Sequence, residues 1–361
     1  MRFVIARRHA LDGPDGINAF IYSLSSALME QGHEVHLVST AATDVEVARS
    51  RYDRVRFTQL HSLMDGPRPS QREMLKSWID KGIGLIREIN PDFTIINGSL
   101  AVRLPGPSCA ISHDLERNQQ NPLIRRLYKL IAYRKVDKVV TTCSELKPLL
   151  AKELLLNEAA IAVIPTCVLL DTYRVRPYEE REDAILHMGT APHKKPVSTI
   201  RAFASMKNKA ALYITGGTSP ELNEAIGKLP MDVRSRINLT GVVSAASLKE
   251  MLSRVKAVVV PSAYHAPVAS PTVLDGLASG TPVVGSDGIS VDLIENGVSG
   301  YRIPTGDAVE RAAKLDEMIA NEKLWRYLQQ GSLQRAARFD HQQVARQYVE
   351  LARQVIAARH N

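Results

Sequence analysis

Residues 270–284 read SPTVLDGLASGTPVV. Ser270 is a good helix N-cap and Pro271 suits the first helical position. Gly280 and Pro282 then stop the helix before a Val-Val run. The spacing predicts a helix of about two turns over 271–279, wedged between two strands. Its first-turn amides lack intrahelical acceptors and its dipole is positive there, so Ser270, Pro271 and Thr272 mark a place for a phosphate. Asp275 falls in the second turn, where one carboxylate can accept hydrogen bonds from two neighbouring sugar hydroxyls. Diphosphate at the helix start and ribose on the acid together describe a nucleotide. Taken alone, the pattern also describes a capped helix with an acid near its start and no ligand.

Other residues with chemical potential follow apolar runs. In HMGTAPHKKP (187–196), Gly189 frees a turn. Lys194 or Lys195 can then place an ammonium beside a leaving diphosphate, where charge develops as a bond breaks. A Lys-Lys pair after a turn is otherwise simply solvated. Gly13-Pro-Asp-Gly16 follows the first run and opens a helix, so the backbone at Gly16 can approach a phosphate or sugar closely, with Asp15 as cap. His113 and Asp114 follow CAIS (109–112) and form either a functional pair or a turn.

These positions need a scaffold, and the chain supplies a repeating one. Short Val- and Ile-rich runs recur at 3–6, 35–39, 93–96, 138–142 and 161–165, then at 184–188, 211–215, 237–239, 257–261 and 282–286. Runs of this length without polar alternation are strands buried on both faces of a parallel sheet. Amphipathic helices lie between them: Ile17, Phe20, Ile21, Leu24 and Leu28 follow the helical spacing, and Gly32 ends that helix. The expectation is an α/β protein with two doubly wound, Rossmann-like domains of about five strands each, facing each other across a cleft. The polar stretch TYRVRPYEERED (172–183) is the expected boundary. It separates an N-terminal domain over 1–175 from a C-terminal domain over 176–339, with a last helix over 340–358 packing back on the first domain.

The 361 residues suit two domains, and 45% hydrophobic with 23% charged residues is a globular composition. Lys and Arg exceed Asp and Glu by 46 to 38, spread without a basic block. This suits an anionic small substrate or a membrane surface at least as well as nucleic acid, and no nucleic-acid partner is expected. Cys109, Cys143 and Cys167 form no CxxC pair, so neither a disulfide framework nor a zinc site is indicated. No apolar run is long enough for a signal segment or a membrane span, and a cytoplasmic location is expected, with peripheral contact at a membrane face left open. PLIRRLYKLIAYRKVDK (122–138) places Leu123, Leu127, Leu130 and Ile131 on one face and basic residues elsewhere. The favoured expectation is a core helix with a solvated face; a helix of this kind can also lie on anionic lipid.

The segment PSAYHAPVASPTVLDGLASGTPVVGSD resembles the donor-site signature of family 4 retaining glycosyltransferases, whose fold is GT-B. That signature runs as Pro-Ser, then two glutamates separated by seven residues, then Ala-x-Gly-x-Pro-Val. Pro261-Ser262, Asp275, Ala278, Gly280, Pro282 and Val283 match it in order and spacing. DGINAFIYSLSSALMEQGHEVHLV, ISHD, VIPTCVLLDTY, HMGTAPHKK and TGVVSAASLKEML resemble further landmarks, so the resemblance spans nearly the whole chain. Three positions depart from the pattern. The first glutamate falls at Pro267, the second is shortened to Asp275, and an arginine that usually clamps the diphosphate is replaced by Thr190.

The resemblance implies a hexosyl- or N-acetylhexosaminyltransferase. It would move a sugar from a nucleotide-diphosphate sugar, UDP- or GDP-linked, to a hydroxyl of a glycan, a lipid-linked or a small-molecule acceptor. Configuration would be retained, without an essential metal or further cofactor. His113 would face the transferred sugar, and His265 or the backbone of Pro267, Val268 and Ala269 would replace the missing glutamate. Gly216 and Val242 would border the base. Two rivals remain: a non-catalytic GT-B partner or glycan-binding subunit, motivated by the missing glutamate, and a nucleotide-sugar epimerase on the same fold. An NAD-dependent dehydrogenase is disfavoured because no GxGxxG follows any strand.

Overall fold

The computed structural model describes residues 1–13, 15–51, 59–65, 70–115, 122–264 and 266–360. The chain divides into two compact units, residues 1–168 with 340–361 and residues 169–339.

Unit 1 is built on one parallel sheet. Its strands are β1 (Arg2–Arg7), β2 (Glu34–Ser39), β3 (Gln59–Ser62), β4 (Phe93–Asn97), β5 (Ser108–Ser112), β6 (Lys138–Thr141) and β7 (Ile161–Val163), in the order β3-β2-β1-β4-β5-β6-β7. Its helices are α1 (Gly16–Glu30), α2 (Val45–Arg51), α3 (Gln71–Ser77), α4 (Ile83–Ile89), α5 (Pro122–Tyr133) and α6 (Leu146–Leu154). Phe3 on β1 pairs with Val35 on one side and Phe93 on the other, and all three are buried. The apolar stripe of α1, with Phe20, Ile21, Leu24 and Leu28, closes the same core. Gly32, with φ +80°, takes the left-handed turn that ends this element.

Unit 2 repeats the plan with β8 (Glu182–Met188), β9 (Ala211–Thr215), β10 (Ile237–Gly241), β11 (Val255–Val260), β12 (Val283–Ser286) and β13 (Gly300–Ile303), in the order β10-β9-β8-β11-β12-β13, again all parallel. Its helices are α7 (Pro196–Ala204), α8 (Pro220–Gly227), α9 (Met231–Arg234), α10 (Ala245–Arg254), α11 (Pro271–Ala278), α12 (Ala308–Ala320) and α13 (Glu322–Ala337). The last helix, α14 (His341–His360), belongs to unit 1. Val344, Tyr348 and Ala352 enter the core that α1 covers, and Gln31 Nε2 donates to the Gln342 carbonyl at 3.0 Å.

Two expectations need correction. The sheets hold seven and six strands rather than about five each. Three strands are added: the interior β5, which is the CAIS run before His113, and the edge strands β3 and β13, which are only four residues long and read QLHS and GYRI. An edge strand is not enclosed on all sides, so it need not write an apolar run. The second correction concerns α5. It packs through Lys129, Ala132 and Tyr133, all buried, while Leu123, Leu127 and Ile131 are exposed. It is not a core helix with a polar outer face.

Candidate donor site

In both sheets the order reverses beside the first strand, between β1 and β4 and between β8 and β11. Open α/β sheets bind ligands beyond the carboxyl ends of the strands at such a point. In unit 2, β8 and β11 are paired, with His187 opposite Val259. The loops that leave them carry HMGTAPHKK and the segment leading into α11. These loops are joined directly: the Ala263 amide donates to the His193 carbonyl at 2.9 Å.

The loop after β8 is shaped by a buried histidine. His187 Nε2 donates to the Gly189 carbonyl at 2.9 Å, which leaves Nδ1 to accept from the Thr199 hydroxyl at 2.8 Å. Burial drives its pKa down to about 4, so the ring is neutral at ordinary pH and adds no charge beside Lys194. Gly189 has φ +85° and Gly216, at the end of β9, has φ +112°. A Cβ on Gly216 would lie 3.0 Å from Thr190 Oγ1 and 3.1 Å from its amide nitrogen, so these two loops touch at van der Waals limits.

The two lysines of this loop differ in their surroundings. Lys194 is half-buried and its Nζ donates to Thr272 Oγ1, in the first turn of α11, at 2.8 Å. Lys195 is exposed, with a left-handed φ of 55°, and precedes α7 as its N-cap. α11 starts where the Ser-Pro-Thr pattern placed it. Ser270 is 1% exposed, yet its hydroxyl makes no capping bond and has no partner among the described residues. A buried hydroxyl without a partner is costly, and beside a helix start it is a ready contact for an anion.

Asp275 sits in the second turn, half-buried, and its Oδ1 accepts from the Tyr173 hydroxyl at 2.6 Å. Burial raises the carboxyl pKa, opposed by the Tyr173 hydrogen bond and by the charges of Lys249 and Lys194. Burial, then the neighbouring Asp275 charge, pushes the Tyr173 phenol well above its usual value, so the proton stays on the tyrosine. Lys249 lies 4.8 Å over the Tyr173 ring, and its Nζ donates to Thr172 Oγ1 at 2.6 Å. Gly276 follows the acid because the helix lies hard on the sheet: a Cβ there would fall 2.8 Å from Val283 Cγ2. At the far end of α11, buried Arg181 donates to the Ser279 carbonyl at 2.8 Å and to Thr281 Oγ1 at 2.7 Å, capping the negative pole of the dipole. Burial lowers its guanidinium to about 9, and it stacks 4.8 Å over Trp325.

Unit 2 thus gathers Thr190, Lys194, Gly216, Ser270, Pro271, Thr272 and Asp275 around the β8–β11 switch point, while Val242, beyond β10, is 87% exposed. Val268 donates its amide to the Gly288 carbonyl at 3.1 Å and accepts from the Ser290 amide at 3.0 Å. Its backbone amide and carbonyl are therefore both hydrogen-bonded within the loop. Pro267 carries no N–H, and Ala269 is buried beside Ser270. His265 lies outside the described residues. Tyr173, Lys249, His187 and Arg181 were not singled out from the sequence. Among the described residues, no three His, Cys, Asp or Glu side chains cluster as a metal site.

In unit 1, Gly16 opens α1 behind the N-cap Asp15, whose carboxylate accepts from the Asn18 amide at 2.9 Å and pairs with buried Arg7 at 3.1 Å. His113 follows β5, with Nε2 3.3 Å from Asn97 Oδ1 and its ring edge-on to Phe20. Asn97 ends β4, at that sheet's own switch point, and its Nδ2 is buried without a partner among the described residues.

Comparison with known proteins agrees with this architecture. A model described as "Glycosyltransferase Family 4" matches residues 14–172, and one described as "Glycosyl transferases group 1" matches residues 182–321. A sucrose-phosphate synthase from Thermosynechococcus elongatus superposes with a TM-score of 0.78 at 17% identity, covering 99% of this chain and 100% of that one. A glycosyltransferase from Rickettsia africae gives 0.75 at 17% identity, over 98% and 99% of the two chains. Anabaena HepE in complex with UDP-glucose gives 0.74 at 16% identity, over 97% and 99%. No curated protein sequence matches the chain. The fold is GT-B. The chain belongs to glycosyltransferase family 4.

Proposed function

We propose that this protein is a retaining transferase that moves a hexosyl or N-acetylhexosaminyl group from a UDP- or GDP-linked donor to an acceptor hydroxyl on a glycan, a lipid-linked or a small-molecule acceptor. One observation carries the reading. At the unit 2 switch point, Lys194 reaches Thr272 in the first turn of α11, whose cap hydroxyl on Ser270 is buried and unpartnered. The amides of that turn and Lys194 hold the diphosphate, and Asp275 accepts from the ribose hydroxyls. In the step, the bond between the sugar C1 and the diphosphate oxygen breaks as the acceptor oxygen bonds to C1 on the same face. The acceptor proton passes to the departing diphosphate, whose charge the helix start and Lys194 stabilise without a metal. Gly16 and His113 are the unit 1 residues assigned to the donor's sugar and phosphates.

The Anabaena structure holds UDP-glucose, which makes that sugar nucleotide the first donor to test. Calorimetric titration with UDP and with GDP decides the nucleotide. Wild type is expected to bind one of them, and Asp275→Ala to lose at least tenfold in affinity with its thermal unfolding still cooperative. Equal affinity in the variant removes Asp275 from the site. The rival reading, a partner subunit without activity, is favoured by Pro267 at the place of the signature's first glutamate. Slow hydrolysis of any sugar nucleotide by wild type, absent in Lys194→Ala, decides against it.

A further inference from the structure

We propose that unit 1 docks on an anionic lipid bilayer through the outer face of α5. Leu123, Ile124, Leu127 and Ile131 are 78%, 70%, 57% and 43% exposed. At 3.6 residues per turn these four positions fall within an arc of about 100°, opposite the side that packs through Lys129 and Ala132. Single exposed aliphatic residues are ordinary, but a continuous row along more than two turns of one helix marks an interaction surface. α6, which packs beside α5, exposes Leu149, and Leu155, its C-cap, is exposed as well. Arg126 Nε donates to the Glu153 carbonyl at 2.8 Å and ties the two helices together.

The charge around the row selects the occupant. α5 has no acidic residue; Arg126 flanks the row, Arg125 lies toward the packed side with Lys129, Arg134 follows the helix, exposed, and α6 adds Lys147 and Lys152 against one acid, Glu153. Lys129 is buried, with Nζ 3.4 Å from the Asp114 carbonyl, so it is a packing residue. An apolar row bordered by cations is the pattern of a helix lying in a membrane interface, with aliphatic side chains among acyl chains and cations among anionic headgroups. Two copies of this chain meeting through the same face would oppose like charges, which disfavours a self-interface. No helix among the described residues is long and apolar enough to cross a membrane, so the contact is peripheral.

This surface lies within unit 1 and does not rest on the donor-site reading, so each can fail alone. The test is co-sedimentation of the full chain with vesicles of phosphatidylcholine alone or mixed with phosphatidylglycerol. Wild type is expected to pellet with the mixed vesicles only and to be released by high salt. Leu123→Gln with Leu127→Gln, and separately Arg134→Glu with Lys152→Glu, are each expected to lower the bound fraction at least tenfold, with nucleotide affinity and unfolding temperature unchanged. Wild type that stays in the supernatant, or variants that pellet equally, overturns the proposal. So does a wild-type dimer in solution that the leucine variant dissociates.

Discussion

Asp275 stands between opposing demands. Burial penalises its charge, while the Tyr173 hydroxyl, Lys249 and Lys194 favour it, and burial wins, leaving the carboxyl above its usual range. The proposed acceptance of ribose hydroxyls by the carboxylate is therefore expected to be lost on acidification at a higher pH than for an exposed aspartate. The hydrogen bond from Tyr173 is the largest of the opposing causes. Tyr173→Phe removes it, so the carboxyl rises further and the acid limb of nucleotide binding moves to higher pH. Calorimetric affinity measured from acid to neutral pH reads this shift; an unmoved limb separates the phenol from the acid. The lysines give a second contrast. Lys194→Ala is expected to lower kcat by about 10²–10³, the usual loss for one charge-stabilising donor. Lys195→Ala, at an exposed position, is expected to change kcat less than twofold, and steady-state transfer or donor hydrolysis measures both.

α11 works because both of its ends and one face are fixed. Ser270-Pro271 opens it, Arg181 holds its C-terminal carbonyls, and Gly276 lets it lie against β12. Gly276→Ala would push a methyl group to 2.8 Å from Val283 Cγ2. The expected cost is about 1–3 kcal/mol of stability, with weakened nucleotide binding as the first turn shifts. Denaturant unfolding and titration check the two effects; a neutral substitution would mean that the helix has room to move. The ends of α11 were legible in the sequence, predicted over 271–279 and observed over Pro271–Ala278, because Ser-Pro and Gly-Thr-Pro act locally. Central strands were legible for a similar reason, since burial on both faces writes unbroken apolar runs. Tyr173, Lys249 and Arg181 were not. Tyr173 lies 102 residues from the acid that it touches, Lys249 77 from Thr172, and Arg181 98 from Ser279, and no local pattern encodes such pairings. Nor does periodicity say which face of a helix is packed: it grouped Leu123, Leu127 and Ile131 correctly, and packing left that group outside.

At the scale of the whole molecule, one plan is used twice. Each unit has a parallel sheet whose order reverses beside its first strand, and chemistry-bearing loops follow the strands at that reversal. In the proposed reaction the nucleotide binds on unit 2, at the start of α11. Membership of family 4 accounts for the shared architecture, while Pro267, Thr190 and Asp275 mark where this chain departs from the family signature. What the account rests on is the start of α11 as the diphosphate seat. A crystal structure with the bound nucleoside diphosphate tests it most directly. Phosphate oxygens are expected within hydrogen-bond reach of the Thr272 amide, the Ser270 hydroxyl and Lys194 Nζ, with the ribose on Asp275. A nucleotide bound elsewhere, with those groups still facing protein atoms, would contradict it.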